Sequence, residues 1–324
     1  MVAKRAVSAS TGTVGEAAGE ALIAGNAVDA IVAGVLMAAA ETPSVFLGPL
    51  QILVGGYGAG LQAVDGRVRQ PGLGMARPRG VVANEPIPEP AWTGVPALPA
   101  SLALVAATLG TMSLWRLARS AVSYAKERSE ERATVLEMFG RLAAAAITGD
   151  AIAGELAAAA GRSVGGALTR DDLSSVRPVM TALDRRAWTP DGILRVPWRG
   201  GSCDAACTQV IAAADARGLV AIACYDAGPD GLAIASLGLV APRFASPVLR
   251  GERRAQPGAP RPAAAPIVLH VSGGLPDGAL GLAELHHAEE SLENILAVIA
   301  DAPFQPGRLQ ARVSEGRPVA VGCL

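Results

Sequence analysis

The sequence predicts one mixed α/β domain in which helices are layered against sheets. Ala-rich runs of helical length alternate along the chain with short apolar runs broken by glycines. Of the 324 residues, 51% are hydrophobic and 18% charged, enough to bury one large core or two modest ones. No internal repeat and no clean linker divides residues 1–324, so a single domain is the simplest organisation.

The elements follow in order. "NAVDAIVAGVLMAAAE", Asn26 to Glu41, has a polar starter and an apolar body, which predicts a helix buried on most sides. "LQILVGGYGAGLQAVDGRVRQPG" reads as a hairpin or meander. Its GGYGAG is no dinucleotide loop, because more strand follows where a helix would be needed. The uncharged run from Pro90 to Trp115 is long enough to raise the question of a membrane span. Pro96 and Pro99 break its first half, so a buried helix of roughly four turns from Ala100 onward is expected. Residues 100–161 read as mostly helical, and "LTRDDLSSVRP" as a short helix capped by Thr169 and ended by Pro178. Strands dominate from Val179 to Leu239, a Pro-rich loop spans 241–266, and "PIVLHVSGG" is a strand running into a glycine turn. A last helix is expected from Ala283 to Ala300. Within the strand-rich block, "CDAACTQVIAAADARGLVAIACYD", Cys203 to Asp226, reads as two strands around a tight turn, with Thr208 at the entrance to the first.

Charge and cysteine content exclude several functions. With 28 basic and 29 acidic residues, the chain has no electrostatic footprint for nucleic acid or an anionic membrane. The local excess "RGERRAQPGAPRP" has the composition of an exposed loop. "MVAKRAVSASTGTVGEAAGEAL" lacks the apolar core of an export signal. Four cysteines are too few for a disulfide scaffold, which points to a reducing, cytoplasmic compartment. Cys203 and Cys207 have no second ligand pair, and His270, His286 and His287 are not spaced as metal ligands, so neither metal nor cofactor is expected.

Several segments, in order, resemble the gamma-glutamyltranspeptidase family. "GNAVDAIVAGVLMAAAETPSVFLG" looks like its G-N-A-V-D-A helix, and "AVDGRVRQPG" like its strand ending in D-x-R. "GGALTRDDLSSVRPVM" is similar to its G-G-x-L-T-x-E-D-L segment, through Gly165, Gly166, Leu168, Thr169, Asp171 or Asp172, Leu173, Arg177 and Pro178. "PWRGGS" stands at its Pro-Ser-Gly segment, and "SLENILAVIADAPF" and "EGRPVAVG" resemble its closing segments. The resemblance implies the four-layer αββα sandwich of the N-terminal-nucleophile hydrolases.

It also implies a chemistry. "TQVIAAADARG" keeps the family's spacing from a catalytic threonine to a D-x-x-G turn, placing Thr208 as nucleophile, with Asp215 and Gly218 in the turn. Family members cut their own chain before this threonine, which here would give 1–207 and 208–324. The freed α-amine, with a reference pKa of about 7.7–8.0, then acts as base for a hydroxyl that is otherwise a weak nucleophile. Gly273 and Gly274 stand where the family's oxyanion donors do, with Ser272 beside them. Arg67 stands at the arginine that grips a substrate carboxylate. Cys207 is a second candidate nucleophile, one residue out of register.

The chain also departs from the family. Gln209 and Val210 replace a threonine and a histidine, Val68 replaces a glutamate after Arg67, and alanines stand in "RPAAAPIV" where a serine pair is expected. "DAGPDGLAIASLGLVAPRF" has no clear counterpart of the segment that holds a substrate amino group. Glutathione is therefore not the expected substrate. Three readings follow: a hydrolase or acyltransferase acting on a small carboxylate-bearing metabolite, in specialised biosynthesis for example; a degenerate pseudoenzyme that binds a metabolite or partner; or a structural subunit of a homo- or hetero-oligomer packed through Ala-rich helices.

Overall fold

The computed structural model describes residues 5–76, 80–82, 84–184, 192–198, 207–272, 275–283, 312–314 and 317–323. Strand β1 (Ala6–Ala9) leads into helices α1 (Gly12–Ala24) and α2 (Ala27–Glu41), followed by the hairpin β2 (Leu50–Gly56) and β3 (Gly60–Gly66). A helical stretch comprises α3 (Leu98–Leu109), α4 (Leu114–Lys126), α5 (Glu130–Leu142), α6 (Ala145–Thr148), α7 (Asp150–Ala160) and α8 (Arg170–Ser175). Then come β4 (Val179–Ala182), β5 (Ile193–Arg195), β6 (Thr208–Ala214), β7 (Leu219–Asp226), β8 (Gly231–Ile234) and β9 (Leu239–Pro242). The last strands are β10 (Ile267–Ser272), β11 (Leu275–Leu282), β12 (Arg312–Ser314) and β13 (Arg317–Cys323).

Among the described residues, one antiparallel sheet has the order β1-β6-β7-β2-β3-β4 and a second has β12-β13-β11-β10-β5. Alternation along the first sheet sorts its side chains onto two faces. Leu50, Ile52, Val54, Ile211, Ala213, Ala221, Ala223 and Tyr225 join the cluster built on α1 and α2. Leu53, Ala63, Val210, Ala212, Val220, Ile222 and Cys224 join Leu194, Ile267, Leu269 and Ala279 of the second sheet. The first sheet thus lies between a helical layer and the second sheet. The helix expected over 283–300 falls outside the described residues.

Local sequence explains each seam. Ala27 through Ala40 are all buried, so α2 is the central rod of the helical layer. Its G-N-A-V-D-A start is a structural node. Asn26 and Asp29 form a capping box, and Asp29 also accepts from the Thr111 amide and hydroxyl and the Met112 amide of the α3–α4 connection. A side chain at Gly25 would collide with the Asp29 carboxylate. Asp215 of the D-x-x-G turn accepts from the Arg217 and Leu219 amides and, at 3.4 Å, from the Ala27 amide at the start of α2. Gly56 ends β2 at φ 126°, where a Cβ would collide with the Gly218 carbonyl oxygen. Gly56→Ala is expected to destabilise the protein by about 2 kcal/mol in chemical denaturation, since both the backbone angle and the contact forbid a side chain.

Several expectations are refined. Helix α3 starts at Leu98, before the expected Ala100, because Pro99 occupies its first turn, where proline needs no N–H partner. It ends at Leu109, Gly110 follows, and Ser113 caps α4. Only one side of α3 is buried. No described helix is long and apolar enough to cross a membrane. Thr169 caps α8 as expected, and of the two aspartates Asp172 completes the capping box. Helix α8 ends at Ser175, three residues before Pro178.

Candidate functional site

Thr208 is the first residue of β6, paired with Asp226 of β7, and only 4% exposed. Strand alternation turns its side chain toward the second sheet, on the face that carries Val210 and Ala212. The start of β6 is pinned from the edge strand. The Ser10 hydroxyl accepts from the Val210 amide at 2.8 Å and donates to the Val210 carbonyl at 3.1 Å. Among the described residues the Thr208 hydroxyl has no hydrogen-bond partner. A small cavity of about 10 Å³, space for about one water, lies against it, lined by Pro49, Gln51, Cys224, Asp226, Phe244 and Ala264 among others. Cys207 is half-buried, and its carbonyl accepts from the Ala227 amide.

Gln51 is fully buried on β2, two strands from β6. Its amide donates to the Ala264 carbonyl at 2.6 Å, and its oxygen accepts from the Trp198 indole N–H. The Trp198 ring in turn lies against the Arg67 guanidinium, 5.2 Å from ring centroid to Cζ. Arg67 follows the end of β3 at the same edge of the sheet as Thr208, three strands away, or about 14 Å by strand spacing.

Arg67 is 7% exposed, and Asp65 accepts from its Nε and Nη2 at 2.9 Å each and from its amide at 3.0 Å. That pairing fixes one edge of the guanidinium and leaves the Nη1/Nη2 edge for another acceptor. Arg69 Nη2 also reaches Asp65, at 3.2 Å. Two cations on one carboxylate leave a surplus positive charge. Burial alone would raise the Asp65 pKa, but the hydrogen bonds from Arg67 and the nearby charges of Arg69 and Arg67 outweigh it and hold it below the usual value. A depressed folded-state pKa stabilises the fold above the unfolded value, about 3.9, and the contribution is lost as pH falls through the folded one. Melts from pH 7 to 2 are expected to show an acid-side loss that Asp65→Asn reduces.

The structure therefore gathers Thr208, Gln51, Trp198 and Arg67 at one end of the first sheet's strands. It does not bring Ser272 there. Ser272 pairs with Leu275 at the hairpin end of β10 and β11, and the neighbouring Leu269 and Pro276 pack at Gly55, at the opposite end of β2. Six residues of strand separate that level from Pro49, on the order of 20 Å. Gly273 and Gly274 lie outside the described residues. The second-sheet segments that do approach the Thr208 edge are Ala263–Ala264, beside the cavity, and Gly281, packed on Val210.

Sequence reasoning missed Gln51, Asp65 and Trp198. Asp65 was within reach, since an acid two residues before Arg67 at a strand end can fold back onto it. Gln51 carried the weaker signal of a polar residue in an apolar strand. Among the described residues no cluster of His, Cys, Asp and Glu is arranged to hold a metal ion.

No protein-family model and no curated protein matches the sequence. Solved structures do match its fold. The cephalosporin acylase from Bacillus halodurans aligns with TM-score 0.74 at 14% identity, covering 96% of this chain and 83% of that one. The LmbA2991T421A structure aligns with TM-score 0.72 at 15% identity, covering 94% and 83%. The LmbA2991HD structure gives 0.68 at 16% identity over the same shares. At such identities the likeness is one of fold: the chain has a mixed α/β fold like that of the cephalosporin acylase over most of its length.

Proposed function

We propose that this chain is an N-terminal-nucleophile hydrolase or acyltransferase that matures by cleavage between Cys207 and Thr208. It then acts on an amide or related acyl bond of a small carboxylate-bearing metabolite. The observation that carries this reading is the setting of Thr208: first residue of a central strand, facing between the sheets, its hydroxyl unpartnered among the described residues. Cleavage would free the amine that the hydroxyl needs as base. The αββα sandwich would hold that new terminus at its edge. The free edge of the Arg67 guanidinium, with the surplus charge of the Asp65 cluster behind it, would take the substrate carboxylate, and the span to Thr208 favours an extended acyl group. The few cysteines suit work in the cytoplasm.

One observation favours the second reading, a catalytically silent binder: the cavity at Thr208 admits little more than a water. The intact mass of the purified protein under denaturing conditions separates the two. Fragments 1–207 and 208–324 are expected. A single full-length mass would leave Thr208 without its amine and overturn the hydrolase reading.

A further inference from the structure

Arg69, the second arginine on Asp65, faces a cleft of its own, of about 260 Å³, which shares no lining residue with the Thr208 cavity. Arg177 lines it as well, with Leu73, Val95, Val176 and Val179 as apolar wall. Arg69 uses Nη2 on Asp65, and among the described residues its Nε and Nη1 have no partner. Arg177 gives Nη1 to the Ser174 and Val176 carbonyls at 2.8 and 3.0 Å, leaving Nε and Nη2. The acid in the lining, Asp172, is spoken for: it is 1% exposed and accepts from the amides of Gly72, Leu73 and Thr169 and from the Thr169 hydroxyl. Two arginines with unused donors, Arg69 largely buried and Arg177 exposed at the rim, therefore line one cleft whose carboxylate is already saturated.

We propose that this cleft is a binding site for a compact oxyanion, a carboxylate or a phosphoryl group, held between Arg69 and Arg177. Both are planar donors suited to two-point contact with such a group, and the cleft is open enough for it to enter. The volume lies below the range of about 300–1,000 Å³ usual for larger ligands, so the ligand is small. This site stands independently of what Thr208 does. It is linked to the Thr208 edge through Asp65, whose carboxylate is shared by Arg69 and Arg67.

The test is thermal melting of the full chain at fixed ionic strength, titrated with inorganic phosphate in one series and succinate in the other, with sodium chloride as reference. A saturable rise in Tm is expected in at least one series. The phosphate series alone would identify a phosphoryl site, the succinate series alone a carboxylate site, and both a general oxyanion site. Arg177→Gln is expected to weaken binding at least about tenfold. Because that change also removes two hydrogen bonds to carbonyls, Val179→Glu provides a second variant. Val179 is 42% exposed, so the substitution adds a repelling charge at the cleft without emptying the core. Arg119→Gln, an exposed change elsewhere, should bind as wild type does. No saturable rise with either anion, or an equal rise in wild type, Arg177→Gln and Val179→Glu, would overturn the proposal.

Discussion

Thr208→Ala is expected to leave the chain as one polypeptide of 324 residues, while the wild type matures to fragments 1–207 and 208–324. The reason is chemical. Cleavage before residue 208 needs a hydroxyl that attacks the Cys207 carbonyl and displaces the Thr208 nitrogen, leaving an ester that water hydrolyses to free both fragments; turnover needs the same hydroxyl again with the freed amine as its base. Alanine removes the hydroxyl and one methyl group at the start of β6, a small loss of volume, so folding should be retained. Thr208→Ser keeps the hydroxyl and is expected to mature. Once a substrate is found, Thr208→Ala should lower turnover by at least about 10³-fold, because removing a nucleophile removes the covalent route and not merely a contact. Mass spectrometry of the three proteins, purified in parallel, reads maturation. Equal cleavage of the alanine variant would assign the cut to another group, with Cys207 the first to examine.

Asp29→Ala should have the largest effect on stability, about 4 kcal/mol. Asp29 is fully buried at the third position of α2 and accepts from the Asn26, Thr111 and Met112 amides and the Thr111 hydroxyl, all within 3.1 Å. Alanine leaves the buried Asn26 amide and the part-buried Thr111 and Met112 donors without their acceptor, and it unties the α3–α4 connection from the central helix. In a chain of this size the melting temperature should fall by roughly 10 °C. Asp171→Ala, an exposed acid in a comparable motif, should change stability by no more than about 0.5 kcal/mol. Equal losses in the two variants would show that the Asp29 node carries no special weight.

These two residues show why the order of motifs was informative when each alone was weak. G-N-A-V-D-A and L-T-R-D-D-L are capping boxes whose acids reach out to bind a second segment, Asp29 to the Thr111 loop and Asp172 to the Gly72 loop. Asp215 does the same between the β6–β7 turn and α2. Such motifs report how the fold is tied together, and they are spaced along the chain in the order in which the ties occur.

The sequence by itself determined the element types: the buried helix from Asn26, the two hairpins, the helical middle and Thr208 at a strand entrance. Those depend on periodicity, caps and turn residues, all local. Which residues share an edge was decided only by the tertiary structure. Strand register set Gln51 and Arg67 across the sheet from Thr208, and the pairing of β5 with β10 brought Trp198 back over them. The physical reason is that local sequence sets a strand's alternation but not its partners, and only pairing and the facing of one sheet on another decide which residues meet at one end.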